Sequence, residues 1–123
     1  MIPGVILPHG TPVIALKIRG TREEIMVEGI LDTGFDGFLC LPIVIATSLG
    51  LELLYATSSE LADGTTTEDE LVFAGQAEWD GTMREVEITL THSEDTLIGT
   101  AFLTGYRVEL DYSTNIVRIE KTA

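Results

Sequence analysis

An apolar run, Ile30-Leu31, ends on Asp32-Thr33-Gly34, and the chain resumes at once with Phe35-Asp36-Gly37-Phe38-Leu39-Cys40-Leu41-Pro42. This sets a carboxylate at the end of a buried strand, held in a glycine-containing turn and followed at once by a further apolar stretch. The triplet occurs once in the 123 residues. The pattern around it is mostly strand. Residues 13–19 alternate apolar and polar, Gly20-Thr21 opens a turn, and residues 24–31 form the strand that delivers Asp32. Residues 37–41 read as a third strand, closed by Pro42.

Residues 43–51 carry the one helical signal: Ile43, Ala46, Leu49 and Leu51 approximate an apolar stripe, and Gly50 stands where a C-cap glycine belongs. A helix this short is stable only when packed. Two extended stretches, residues 52–61 and 66–73, flank Ala62-Asp63-Gly64-Thr65, and Asp-Gly is a strong hairpin signal. A second hairpin turns at Asp80-Gly81, and its return strand sets Val86, Ile88 and Leu90 against Glu85, Glu87 and Thr89. Leu97-Ile98-Gly99 ends another apolar run, Ala101-Phe102-Leu103 reads as one helical turn, and a last hairpin joins residues 106–112 to 116–120 through Ser113-Thr114-Asn115. Short strands with turn signals every 8–12 residues imply an all-β barrel or sandwich.

The length suits one domain spanning residues 1–123, since domains cluster near roughly 100–150 residues. An apolar share of 45% is enough for a core. The formal charge of −13 argues against nucleic acid and anionic membrane surfaces as partners, because a basic footprint supplies most of that affinity. One cysteine, Cys40, allows no intrachain disulfide and fits a reducing compartment. Met1-Ile2-Pro3-Gly4-Val5 has no basic stretch ahead of its apolar residues, so no signal peptide is expected there. No apolar run approaches the roughly 18–20 residues of a membrane helix. The expectation is a cytoplasmic protein. His9 and His92 read as surface or turn residues, and Glu68-Asp69-Glu70 and Glu94-Asp95 as solvated acidic clusters, so no metal and no cofactor is expected. Trp79, beside a turn, reads as packing for its hairpin.

Asp32 is where chemistry is expected. Two carboxylates a few ångströms apart cannot both ionise, because the like charge strongly disfavours the second ionisation. They share a proton, so one acts as base toward a water while the other acts as acid toward a carbonyl oxygen. With one triplet per chain, such a pair requires two chains. Gly34 then offers an unhindered N–H to the carboxylate, Thr33 a hydroxyl that locks two symmetric loops, and Ile30, Leu31 and Phe35 a partly dry surround in which electrostatics are strong.

The chain resembles the retropepsin-like aspartic proteases over residues 13–120. Four elements stand in that family's order: the hairpin into Leu31-Asp32-Thr33-Gly34; Phe38-Leu39-Cys40-Leu41-Pro42 with a helix ending Leu49-Gly50-Leu51; the hairpin tip Ala62-Asp63-Gly64-Thr65, similar to the flap; and Leu97-Ile98-Gly99 followed by Phe102-Leu103. The resemblance implies an all-β acid-protease barrel with one short helix, one lobe per chain, working as a homodimer on peptide or unfolded-protein substrates. It implies that Asp32 is catalytic, that Thr33 and Gly34 form its loop, that Phe35 and Asp36 flank bound substrate, and that Ala62, Asp63, Gly64 and Thr65 close over it. The chain departs from the family where Phe35 replaces the usual Ala, where Ala101 replaces a common Asp or Asn, and where Asp63 sits at the flap tip. These departures motivate a rival reading, a dimer that keeps the fold and binds peptides without cutting them. Residues 106–112 alternate as a half-buried strand available to a dimer sheet.

Overall fold

A computed structural model describes residues 1–58, 62–65 and 70–122. In chain order the elements are β1 (Ile2–Ile6), a 3-10 turn (Pro8–Gly10), β2 (Pro12–Arg19), β3 (Glu24–Leu31), β4 (Leu39–Pro42), α1 (Ile43–Leu49), β5 (Glu52–Thr57), β6 (Glu70–Trp79), β7 (Thr82–Thr91), β8 (Thr96–Ile98), α2 (Thr100–Leu103), β9 (Tyr106–Asp111) and β10 (Ile116–Lys121). The strands form one sheet in the order β5-β6-β7-β4-β8-β3-β2-β1-β10-β9. An additional pairing, Ile18 with Ala77 and Arg19 with Gln76, joins β2 to β6. That pairing closes β2, β3, β8, β4, β7 and β6 into a six-stranded barrel, and β1, β10 and β9 extend from it.

β3 and β4 are consecutive in the chain but not neighbours. β8 lies between them, parallel to β3 (Leu31 opposite Ile98) and antiparallel to β4 (Leu39 opposite Ile98). Residues 32–38 must therefore cross the end of β8, and this crossing places the Asp32 loop at one end of the barrel.

The barrel is filled by alternate residues of its strands. Ile14, Leu16 and Ile18 of β2, Leu39 and Leu41 of β4, Val86 and Ile88 of β7 and Ile98 of β8 are buried, and each such side chain contributes about 1.5–3 kcal/mol on leaving water. Phe102 is fully buried under the end of the barrel, with Trp79 stacked on it at 4.5 Å and Phe38 edge-on at 5.0 Å. Trp79 is thus a packing residue, as its place beside the Asp80-Gly81 turn implies. That turn is a two-residue hairpin loop with φ of +51° at Asp80 and +82° at Gly81, between Trp79 and its partner Thr82. A positive φ at both central residues matches the right-handed twist of the flanking strands.

α1 ends where Gly50 adopts φ +73° and donates its N–H to the Ala46 carbonyl. The Gly50 carbonyl in turn accepts from the Thr21 N–H (2.7 Å) and hydroxyl (2.8 Å), which bolts the helix end to the β2–β3 turn.

One expectation, the start of the third strand, needs correction, and one strand was not foreseen. Residues 2–6 form β1, which the pattern did not announce, because Pro3 and Gly4 are poor strand residues. Gly4 is nevertheless required there, since a Cβ would stand 2.4 Å from the Val13 carbonyl oxygen. The third strand starts at Leu39 rather than Gly37, because residues 37 and 38 are still completing the crossing over β8. Within the stretches 52–61 and 66–73, strand is described over β5 and the start of β6; residues 59–61 and 66–69, including Glu68 and Asp69, lie outside the described residues. No described helix is long and apolar enough to cross a membrane.

Candidate active site

Four backbone hydrogen bonds hold the loop over β8. The Asp32 N–H donates to Ile98 (2.9 Å), the Gly99 N–H to Phe38 (2.9 Å), the Thr100 N–H to Phe35 (2.9 Å) and the Ala101 N–H to Gly37 (3.2 Å). The Thr100 hydroxyl adds a longer bond to the Phe35 carbonyl at 3.4 Å. Within the loop, the Phe35 N–H donates to the Asp32 carbonyl (3.2 Å), and the Gly34 N–H donates to Asp32 Oδ1 (2.9 Å). The loop therefore holds one half-buried carboxylate at this end of the barrel, with Thr33 and Gly34 exposed beside it. The expected Gly34 N–H bond to the carboxylate is present.

Phe35 is folded back onto its own loop. A Cβ at Gly37 would stand 2.7 Å from its Cζ, and one at Gly99 2.7 Å from its Cδ2. The ring thus lies between two glycines that leave room for it. Gly99 is tighter still, with its Cβ position 2.0 Å from the Gly37 carbonyl oxygen. The apolar-apolar-Gly element was legible as a motif. The dependence of Phe35 on Gly37 and Gly99, and the tether from Thr100, were not. The Ala101 side chain makes no polar contact, and its backbone N–H supplies the tie to the loop instead.

Asp36 is exposed, directly beyond Phe35. Ala62, Asp63, Gly64 and Thr65 form a separate turn beyond the paired part of the β5–β6 hairpin. There Asp63 Oδ1 accepts from the Thr65 hydroxyl (2.7 Å) and N–H (3.0 Å), and Gly64 takes φ +88°. The Thr65 hydroxyl bond, followed by its N–H, holds the Asp63 carboxyl below its ordinary range, so the turn keeps its negative charge. The hydrogen bonds bring Asp32, Gly34 and Phe35 into one loop, and residues 62–65 into another. On the outer face of the sheet, the Tyr55 hydroxyl donates to Glu87, which fixes the base of this hairpin to β7.

Cys40 sits on β4 and is half-buried; burial pushes its thiol up, which disfavours the thiolate a nucleophile needs. His9 and His92 are exposed, and His9 occupies a left-handed turn at φ +76°.

No protein-family profile and no curated protein matches the sequence. The structure is similar to solved ones. A retropepsin-like aspartic protease from Rickettsia conorii aligns at a TM-score of 0.63 and 14% identity, over 97% of this chain and 88% of that one. The EIAV protease complexed with the inhibitor HBY-793 aligns at 0.58 and 16%, over 79% and 88%. The retroviral protease-like domain of Ddi1 from Leishmania major aligns at 0.51 and 11%, over 90% and 94%. At such identities the likeness is one of fold, and on that ground the chain has the retropepsin-like fold, a closed β-barrel carrying one Asp-Thr-Gly loop at its end.

Proposed function

We propose that the protein is an aspartic endopeptidase, active as a homodimer, in which two Asp32 carboxylates activate one water. The observation that carries this reading is the loop itself: a carboxylate at one end of the barrel, oriented by the Gly34 N–H and tied down by four backbone bonds to residues 98–101. A catalytic group held this rigidly loses little in ordering when substrate arrives.

In the dimer the two Asp32 side chains share a proton across a two-fold axis. One removes a proton from the water between them, and the oxygen attacks the peptide carbonyl. The other donates to the carbonyl oxygen, and return of a proton to nitrogen expels the amine. Substrate binds as an extended strand, with main-chain hydrogen bonds for affinity and pockets for alternate side chains for preference. The hairpin tip around Gly64 closes over it, while Asp36 and Asp63 disfavour acidic peptides. The packed position of Phe35 makes the ring a support of the loop first and a neighbour of substrate second. The single Cys40 supports placement in the cytoplasm.

The test is cleavage of an unfolded peptide library at mildly acidic pH by the wild type and by Asp32→Asn, both checked as folded. Cleavage by the wild type alone supports the reading. Absence of cleavage by either protein across a pH series favours the rival, a peptide-binding dimer.

A further inference from the structure

β7 turns Val86 and Ile88 toward the barrel interior, where both are buried. Side chains alternate along a strand, so Arg84 belongs to the same row. It stands opposite Ala77 of β6, which is fully buried. A cation in this apolar row departs from the pattern, and its contacts show why it is tolerated. Among the described residues, Lys17, Arg19, Arg107 and Arg118 pair with glutamates, whereas Arg84 lies against rings. Its guanidinium carbon is 5.2 Å from the centre of the Phe38 ring and 5.8 Å from that of Phe102. Both distances fall within the roughly 6 Å over which a ring face attracts a cation. The residue as a whole is exposed, so the guanidinium meets water as well as the rings.

The two rings come from the two segments that are joined to make the Asp32 loop. Phe38 ends the crossing over β8, and its carbonyl accepts from the Gly99 N–H at 2.9 Å. Phe102 belongs to α2, in which the Thr100 and Ala101 N–H groups donate to Phe35 and Gly37. Phe102 is fully buried, with Trp79 stacked on it at 4.5 Å. Phe38 is only half-buried and meets Phe102 edge-on at 5.0 Å. A charge attracted to both rings draws the less confined one toward the fixed one. The backbone of residues 37 and 38 is thereby drawn toward residues 99 and 101. The guanidinium does not lose its proton in a protein, so this attraction is present at every working pH.

We infer that Arg84 is a positioning residue for Asp32: by holding Phe38 against Phe102 it keeps residues 32–38 seated on residues 98–101. The inference rests on the protease reading above and adds to it a residue outside the loop that aligns the carboxylate.

Hydrogen exchange and peptide cleavage by Arg84→Gln, Arg84→Lys and Gly81→Ala test it. Gly81→Ala is the stability control, because it strains the neighbouring hairpin turn at a place where nothing stands within 4 Å. Exchange of the Asp32, Gly99, Thr100 and Ala101 amides reads the seating of the loop without any need for activity. Two ring contacts of exposed strength correspond to about a 5-fold change in an opening equilibrium. Arg84→Gln should therefore exchange these amides about 5-fold faster than Gly81→Ala does. Arg84→Lys keeps a cation over the rings and should restore most of the protection. In cleavage of a peptide library well below the melting temperatures, Arg84→Gln should lower kcat roughly 5-fold with KM unchanged, the loss expected when the carboxylate shifts by a few tenths of an ångström. Gly81→Ala should match the wild type in both constants. Equal exchange in Arg84→Gln and Gly81→Ala, or in Arg84→Gln and Arg84→Lys, would overturn the inference while the protease reading stands. Faster exchange with an unchanged kcat would make Arg84 a support of the fold alone and would overturn the positioning role. If the wild type cuts nothing at any pH, the protease reading falls and the positioning role falls with it.

Discussion

Phe35 and Gly37 form a coupled pair whose energetics can be worked from distances. In Gly37→Ala the new methyl carbon stands 2.7 Å from Phe35 Cζ and 2.9 Å from Cε1, and its three nearest neighbours all belong to that ring. On its other side the ring lies over Gly99, where a Cβ, were there one, would stand 2.7 Å from Cδ2. Overpacking of this kind costs about 1–3 kcal/mol. Phe35→Ala alone removes a half-buried ring, and about half of the full burial term for such a side chain is lost, roughly 0.8–1.5 kcal/mol. In the double variant the alanine methyl at position 37 enters space the ring has left. The overpacking cost disappears, and the two effects miss additivity by about 1–3 kcal/mol in the favourable direction. Urea unfolding of the four proteins, with the slope checked for constancy, measures this coupling. Costs that add to within about 0.5 kcal/mol would show that the ring does not lie over Gly37 and would refute the loop geometry.

Two further outcomes follow from the same structure. Gly99→Ala puts its methyl 2.0 Å from the Gly37 carbonyl oxygen, a backbone contact that no side-chain motion relieves; its cost is expected near the upper end of overpacking, about 3 kcal/mol. Gly81→Ala, in open space at φ +82°, should cost only about 1 kcal/mol, and equal melting temperatures for the two variants would contradict the crossing over β8. Hydrogen bonds from the Ser113 hydroxyl and N–H, and from Thr114, hold the Asp111 carboxyl below its ordinary 3.8. A depressed carboxyl contributes stability that is present above the unfolded value and lost as pH falls through the lower folded one. The urea midpoint of Asp111→Asn should therefore fall less steeply than that of the wild type as pH is lowered below 3.8, and parallel acid limbs would refute the assignment.

What was legible in the sequence was local. Asp32-Thr33-Gly34 after Ile30-Leu31 declared a loop at a strand end, and Asp80-Gly81 declared a hairpin, because turn residues report the backbone conformation they occupy. Gly50 declared the helix end for the same reason. The insertion of β8 between β3 and β4 was not legible, since strand order is decided by pairings between residues far apart in the chain, such as Cys40 with Leu97 and Gly29 with Thr96. β1 was hidden by Pro3 and Gly4, whose low strand propensity is overridden by the need for close approach at Val13. Phe35 reads from the sequence as a residue flanking substrate. That its ring also packs over Gly37 and Gly99 shows only in three-dimensional contact, which reveals why two glycines accompany one phenylalanine.

The central claim is that one active site needs Asp32 from two chains. It is tested most directly by holding the wild-type concentration fixed and adding an equal amount of Asp32→Asn under conditions of subunit exchange. The account predicts that peptide cleavage falls to about half, the statistical share of wild-type chains that still pair with one another. Cleavage that stays at its full value, with mixed dimers shown to have formed, would mean that a single Asp32 suffices and would contradict the account.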